Sequence, residues 1–179
     1  MAEGASKKTI HSKTGVRQLH KDFTAKARET DLAFFLQDLD DPYNVGGMFR
    51  VADGCGAKLI VTSGKTPVPP HPQIHVTSMG HHRRVAHRHF PMHDDAAMWL
   101  KQQGYSLVAI EIAEGAVPYT EYVWPEKVCL ILGNEVNGVY GSVMKHRDAA
   151  VYIPMFGKGR SLNVHVSAAI VAFDLRVRS

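Results

Sequence analysis

The chain has 179 residues, is 45% hydrophobic and carries a formal net charge of +4. That length favours one domain, and that hydrophobic share can bury a core, which excludes a disordered chain. No apolar stretch is long enough to span a bilayer and the N-terminus MAEGASKKTIHSKTG lacks the apolar centre of a signal peptide, so no membrane partner is expected and the expected setting is cytoplasmic.

The charge is unevenly placed. Residues 1–30 hold seven Lys/Arg, among them Lys7, Lys8, Lys13 and Arg17, against three acids, while the remainder is balanced at fourteen of each. A basic arm on a neutral body suits a polyanion such as RNA. A solvated terminus that only improves solubility is the competing reading. The expected division is a basic N-terminal extension over 1–31 and a folded domain over 32–179. Whether GVRQLHKDFTAKARE in the arm forms a helix stays open.

After the arm, LAFFLQDL (32–39) reads as a strand, apolar enough to be covered on both faces. NVGGMFRVADGCG follows with Met48, Val51, Ala52 and Cys55 at helical spacing and a Gly stop at 56. AKLIVT (57–62) is the second strand. TPVPPHPQ (66–73) reads as a Pro-rich loop, excluded from both central strand and helix.

The stretch HPQIHVTSMGHHRRVAHRHF then holds six histidines with Arg83, Arg84 and Arg88. No carboxylate or thiolate accompanies the rings and their spacing fits no standard metal site, so no metal is expected. The arginines amid rings suit an RNA contact surface; an exposed loop with incidental histidines is the alternative. HDDAAMWLKQQG (93–104) is a helix with acids in its first turn. YSLVAIEI (105–112), KVCLILG (127–133) and AAVYIPM (149–155) are strands. SLNVHVSAAIVAFDLRVRS (161–179) is a final helix with Val164, Ala168, Val171 and Leu175 on one stripe. The alternation predicts an α/β domain with a mainly parallel sheet and helices on both faces. Cys55 and Cys129 are isolated, which suits a reducing compartment.

In open α/β sheets, ligands bind beyond the carboxyl ends of strands. Four such corners carry unusual residues: Asn44–Gly47, Glu111, Gly133-Asn134-Glu135 and Pro154–Asn163. Gly133 and Gly138 have the spacing of a phosphate loop, but Val139 and Tyr140 stand where that loop needs Lys and Ser or Thr. Glu135 inside the turn would repel phosphate and suits a neutral or cationic ligand. Gly54 and Gly56 precede a strand rather than follow one, which disfavours a nicotinamide dehydrogenase.

Three segments together, NVGGMFRVADGCGA (44–57), LILGNEVNGV (130–139) and IPMFGKGRSLNVHVSAAIVAF (153–173), resemble the three motifs of the SPOUT superfamily. More narrowly they resemble those of its TrmH-type (SpoU) RNA ribose 2′-O-methyltransferases, over about residues 32–175. The resemblance implies a deep trefoil knot in the C-terminal region, a homodimer, and S-adenosylmethionine as methyl donor. It implies that Gly133, Ile153 and Leu162 touch the cofactor, with Leu132, Met155 and Glu111 in the same pocket. It assigns Arg50 the proposed catalytic role and places Asn44, Glu135, Ser161 and Asn163 at the reaction centre. Gly46 and Gly47, beneath Arg50, would leave room for an RNA backbone; an ion pair of Arg50 with Asp53 is the ordinary alternative. The implied reaction moves a methyl group to a ribose 2′-oxygen, with Arg50 as base or as an orienting group. Transfer RNA is favoured over ribosomal RNA, and DNA is not expected. A catalytically inactive RNA-binding protein of the same fold is the alternative.

Overall fold

The computed structural model describes residues 13–24 and 27–178, so Lys7 and Lys8 lie outside the described residues. In chain order the elements are α1 (Lys13–Thr24), β1 (Asp31–Gln37), α2 (Pro42–Cys55), β2 (Leu59–Ser63), α3 (Pro72–Ser78), β3 (Ala86–Phe90) and α4 (His93–Gln102). There follow β4 (Ser106–Ile110), β5 (Val117–Pro118), β6 (Lys127–Leu132), α5 (Gly141–Met144), β7 (Ala149–Tyr152) and α6 (Val164–Val177). The seven strands form one sheet in the order β3-β2-β1-β6-β4-β7-β5, and every described pairing is parallel.

Side-chain alternation along β1 shows why its sequence is apolar throughout. Leu32, Phe34 and Leu36 enter a core shared with α2, α3 and α6. Ala33 and Phe35 enter a second core shared with α4 and α5. A strand covered on both faces has no polar side to present.

Local signals set the helix ends. Asp41 caps α2 by accepting from Tyr43 N at 2.8 Å, Pro42 opens the helix, and Gly56 closes it with φ 69°. Asn163 caps α6 by accepting from His165 N at 3.0 Å.

Several expectations need correction. The Pro-rich segment ends in helix: Pro72 sits in the first turn of α3, where its missing N–H costs no hydrogen bond. The histidine-rich stretch contains β3, an exposed edge strand whose polar residues show no apolar alternation to reveal it. The two-residue β5 and four-residue α5 are too short for any periodicity. In the arm, α1 is helical and none of its residues is buried. Gly46 and Gly47 do not make room for RNA. A Cβ at Gly46 would strike Thr77 of α3, and one at Gly47 would lie 2.8 Å from the His165 ring of α6. Both glycines serve close packing between helices.

Asp38, just past β1, joins three corners. It has φ 56°, a left-handed conformation that Asp tolerates better than most residues. Its carboxylate accepts from Lys65 N at 2.8 Å and from the Tyr140 hydroxyl at 2.9 Å, and its carbonyl accepts from Asn134 Nδ2 at 2.7 Å. Burial by itself would raise the acid's pKa. Those two donors, with His93 and Lys65 nearby, outweigh it and hold the carboxyl below its ordinary 3.8. Asp38→Asn should therefore cost about 1.5–3 kcal/mol at pH 7, the range for hydrogen bonds to a charged group. A depressed folded pKa gives stability that is present above the unfolded value and lost as pH falls through the folded one. The gap between wild type and variant in urea unfolding should accordingly shrink below pH 3.8.

Candidate active site

The carboxyl ends of β4, β6 and β7 open onto one cavity of about 510 Å³. Glu111 and Ile112 enter from the end of β4, Leu132 to Val136 and Gly138 from β6, Tyr152, Ile153 and Met155 from β7, and Arg160 to Val164 with Ser167 from the start of α6; the His165 ring is not part of the wall. All six expected cofactor residues line it: Glu111, Leu132, Gly133, Ile153, Met155 and Leu162. Of the five residues assigned to the reaction centre, Glu135, Ser161 and Asn163 line it too. Asn44 and Arg50 stand outside it on α2.

The loop after β6 is a closed turn. Asn134 and Gly138 exchange main-chain hydrogen bonds at 3.0 and 2.9 Å. The Asn134 side-chain oxygen accepts from the N–H groups of Val136 and Asn137 at 3.0 and 3.1 Å, so it shapes the turn from within. A Cβ at Gly133 would strike the main chain of Gly138 and Val139. The glycine's first purpose is thus this self-contact, whatever ligand approaches its other side. Glu111 holds the far end of the turn by accepting from Val139 N at 3.1 Å.

Glu135 leaves the turn towards the start of α2. Its carboxylate accepts from Asp40 N at 3.1 Å, Asp41 N at 3.3 Å and Asn44 Nδ2 at 2.8 Å. Asn44 is buried, and its oxygen accepts from Asn163 Nδ2 at 2.9 Å, with His165 Nδ1 at 3.3 Å. One side-chain amide thereby joins all three sequence motifs. His165 was not singled out from the sequence: it sits among apolar residues in NVHVSAA, with no neighbouring charge to suggest a role. Its pKa is lowered by burial first, and then by the Arg50 guanidinium, with Asp41 opposing.

Arg50 is exposed on α2, one turn beyond Gly47. Its expected partner is taken, because Asp53 pairs with His81 at 2.7 Å and with Arg84 at 3.3 Å. Among the described residues Arg50 makes no ion pair or hydrogen bond, which leaves its guanidinium available to an anion.

The other basic candidates differ in availability. Arg83 is exposed and lines a second groove of about 500 Å³ together with His71, His75 and His82. Arg84 is engaged with Asp53. Arg88 stacks on Phe90 and Trp99, 4.9 and 4.7 Å from the ring centres. Lys13 and Arg17, with Lys21, fall on one face of α1 at intervals of four. Five histidines have individual partners: Gln73 N for His71, Thr62 for His89, Ser63 for His93, Ser78 for His82 and Asp53 for His81. Among the described residues no group of three or more His, Cys, Asp or Glu could hold a metal ion.

Chemically, the cavity combines apolar walls from Leu132, Ile153 and Leu162 with the carboxylates of Glu111 and Glu135 and the exposed guanidinium of Arg160, and its size suits a nucleoside-scale molecule. Apolar walls suit a base ring, and the acids favour a positive charge over a phosphate.

The profile of the SpoU rRNA Methylase family matches residues 31–173. A tRNA (guanosine(18)-2′-O)-methyltransferase of Thermus thermophilus is 28% identical over 165 residues, 92% of this chain and 84% of that protein. The 23S rRNA (guanosine(2553)-2′-O)-methyltransferase RlmP of Bacillus subtilis is 34% identical over 140 residues, 77% of this chain and 55% of that protein. A solved AdoMet-bound rRNA methyltransferase from Sinorhizobium meliloti has a TM-score of 0.77 and 28% identity, covering 82% of this chain and 56% of that one. The chain therefore spans little more than half the length of the last two.

The self-contact at Gly133 has a measurable consequence. Gly133→Ala must push the turn of residues 133–139 away from β6, at a cost of about 1–3 kcal/mol as for other overpacked sites. Denaturant unfolding should show that loss, together with a weaker response of the melting temperature to added S-adenosylmethionine. Wild-type stability in the variant would refute this reading of the turn.

Proposed function

The chain belongs to the SpoU rRNA Methylase family, and from that premise we propose that it transfers a methyl group from S-adenosylmethionine to a ribose 2′-hydroxyl of RNA, transfer RNA rather than ribosomal RNA. The carrying observation is that one cavity collects all six cofactor candidates and is bound through Asn44 to the α2 face that bears Arg50. The cofactor supplies an electrophilic methyl group on a cationic sulfur. Leu132, Ile153, Met155 and Leu162 would enclose its adenosine, and Glu111 and Glu135 would face its positive charge. Arg50, exposed and without an ion-pair partner among the described residues, would take the RNA phosphate and orient the ribose beside it.

What supports a transfer-RNA substrate is the reach of the similarity along this chain: 92% of it aligns with a relative named for tRNA and 77% with one named for rRNA. RNA would meet the Lys13, Arg17 and Lys21 face of α1 and the exposed Arg83, so residues 1–31 serve as a binding extension to the domain of residues 32–179. DNA lacks the acceptor hydroxyl and is not a substrate. The α6 surface supports a homodimer. Val166, Phe173 and Val177 are exposed and share one face with half-buried Ile170, an apolar stripe that a second copy would cover. The C-terminal knot follows from family membership; its support here is that the loops of residues 133–140 and 153–163 close on the same cavity. Buried, unpaired Cys55 and Cys129 suit the cytoplasm, and no helix among the described residues is long and apolar enough to cross a membrane.

Calorimetry should detect S-adenosylmethionine binding without RNA. Failure to bind would favour an inactive RNA-binding protein instead. Arg50→Ala should leave that affinity within twofold while methylation falls about 100-fold or more, the usual loss for one charge-stabilising donor. Arg50→Lys should not restore activity if the planar fork is required. Replacing Lys13, Arg17 and Lys21 by Ala should weaken RNA binding and flatten its salt dependence by roughly one unit of slope per lost phosphate contact.

A further inference from the structure

We propose that His165 is the proton acceptor of the methyl transfer, its ring oriented through Asn44 by Glu135, and this rests on the function proposed above. The need for such a group is chemical. A ribose hydroxyl is a poor nucleophile while it keeps its proton, and an arginine does not deprotonate in proteins. Arg50 can bind and orient, but it cannot take the proton.

The hydrogen-bond network fixes which nitrogen of His165 is free. The Glu135 carboxylate accepts only, and its partners are two main-chain N–H groups and Asn44 Nδ2. That bond settles which end of the Asn44 amide is nitrogen, so Asn44 Oδ1 faces the start of α6. Oδ1 accepts from Asn163 Nδ2 at 2.9 Å and lies 3.3 Å from His165 Nδ1. A carbonyl oxygen cannot donate, so Nδ1 carries the hydrogen. A neutral imidazole has one N–H, which leaves the lone pair on Nε2. Nε2 has no hydrogen-bond partner among the described residues. The ring packs on Gly47 of α2, its Cγ and Nδ1 lying 2.8 and 2.9 Å from where a Cβ at that glycine would stand. The arrangement has the logic of a hydrolytic triad: an acid positions a middle group, which fixes the tautomer of a histidine.

The surroundings keep the ring neutral. Burial and Arg50 of α2 disfavour the imidazolium, and Asp41 before α2 opposes them. Glu135 faces the ring only through Asn44. The N-terminal end of α6, where His165 sits, disfavours a cation as well. His165 is also close to the cavity in the chain: Asn163, Val164 and Ser167, on either side of it, line that cavity.

The step balances as follows. The 2′-hydroxyl gives its proton to His165 Nε2 while its oxygen pair forms the new O–CH3 bond. The C–S bond breaks with its pair left on sulfur, giving a neutral thioether. The imidazolium then loses the proton to solvent.

The test has one part that needs neither RNA nor cofactor. With 15N-labelled histidine, NMR of the free protein should show His165 as the Nδ1–H tautomer at pH 7.5, titrating below the usual 6.5. In the methylation assay the acid limb of log kcat against pH should fall at that same value and should vanish in His165→Ala and His165→Gln. Both variants should lose about 100-fold to 10,000-fold in kcat with cofactor affinity unchanged, and added imidazole should restore part of the activity of His165→Ala. An Nε2–H tautomer, a wild-type profile without that limb, or variants within threefold of wild type would each overturn the assignment. If the wild type methylates no RNA, the proposed function fails, and the NMR result still decides whether the relay holds the ring as described.

Discussion

A buried side-chain amide must be satisfied at both ends, and at Asn44 that requirement fastens together three parts of the chain. Its nitrogen reaches Glu135, 91 residues on, and its oxygen meets Asn163, 119 residues on. Leaving either end unpaired in a buried position costs about 1–3 kcal/mol, a large part of a domain's net stability. The bonds that make the corner stable therefore also fix the distance between the cavity and the exposed face of α2. Geometry for chemistry and geometry for folding are set by the same atoms.

Sheet order explains how those segments come to meet. In a parallel sheet every strand ends on the same edge, so neighbouring strands deliver neighbouring loops. β1 pairs with β6, which puts the start of α2 beside the turn of residues 133–139. β6 pairs with β4, and β4 with β7, which brings Glu111 and the loop before α6 onto the other side of that turn. The cavity lies where these three loops converge. The motifs are remote in sequence and adjacent in space because strands far apart in the chain are paired.

Most of the core architecture was legible in the sequence because burial leaves a pattern. Strands covered on both faces are apolar runs, and α2 and α6 carry apolar stripes. Edge elements leave no such pattern: β3 reads as a histidine-rich loop because four of its five residues are exposed and three of them are His or Arg. Pro72 looked like a helix breaker because composition does not say whether a proline opens a helix or interrupts one. The motif residues were legible as a set, but their partners were not. Nothing in NVHV reveals that the histidine ring packs on Gly47, and nothing in NVGG shows that Gly46 is required by Thr77 and not by a ligand. Such pairings are tertiary facts, readable only once two helices are placed against each other.

The charges around the site are sorted in a way that bears on its chemistry. A cationic methyl donor and an anionic strand must meet without the donor's charge being held by the phosphates. Glu111 and Glu135 lie on the cavity side, each with a carboxylate fixed by main-chain N–H groups. Arg50 lies on the α2 side, exposed and without an ion-pair partner among the described residues. The two acids face the donor's charge, Arg50 faces the strand, and the methyl group crosses between them, while Arg160 adds an exposed cation at the cavity itself. A histidine at that boundary is best neutral, because an imidazolium there would repel both the donor and the guanidinium. Burial first and then Arg50 push the His165 pKa down, towards that form, against Asp41. The residue that suits the charge balance is thus also the one whose free lone pair can accept a proton.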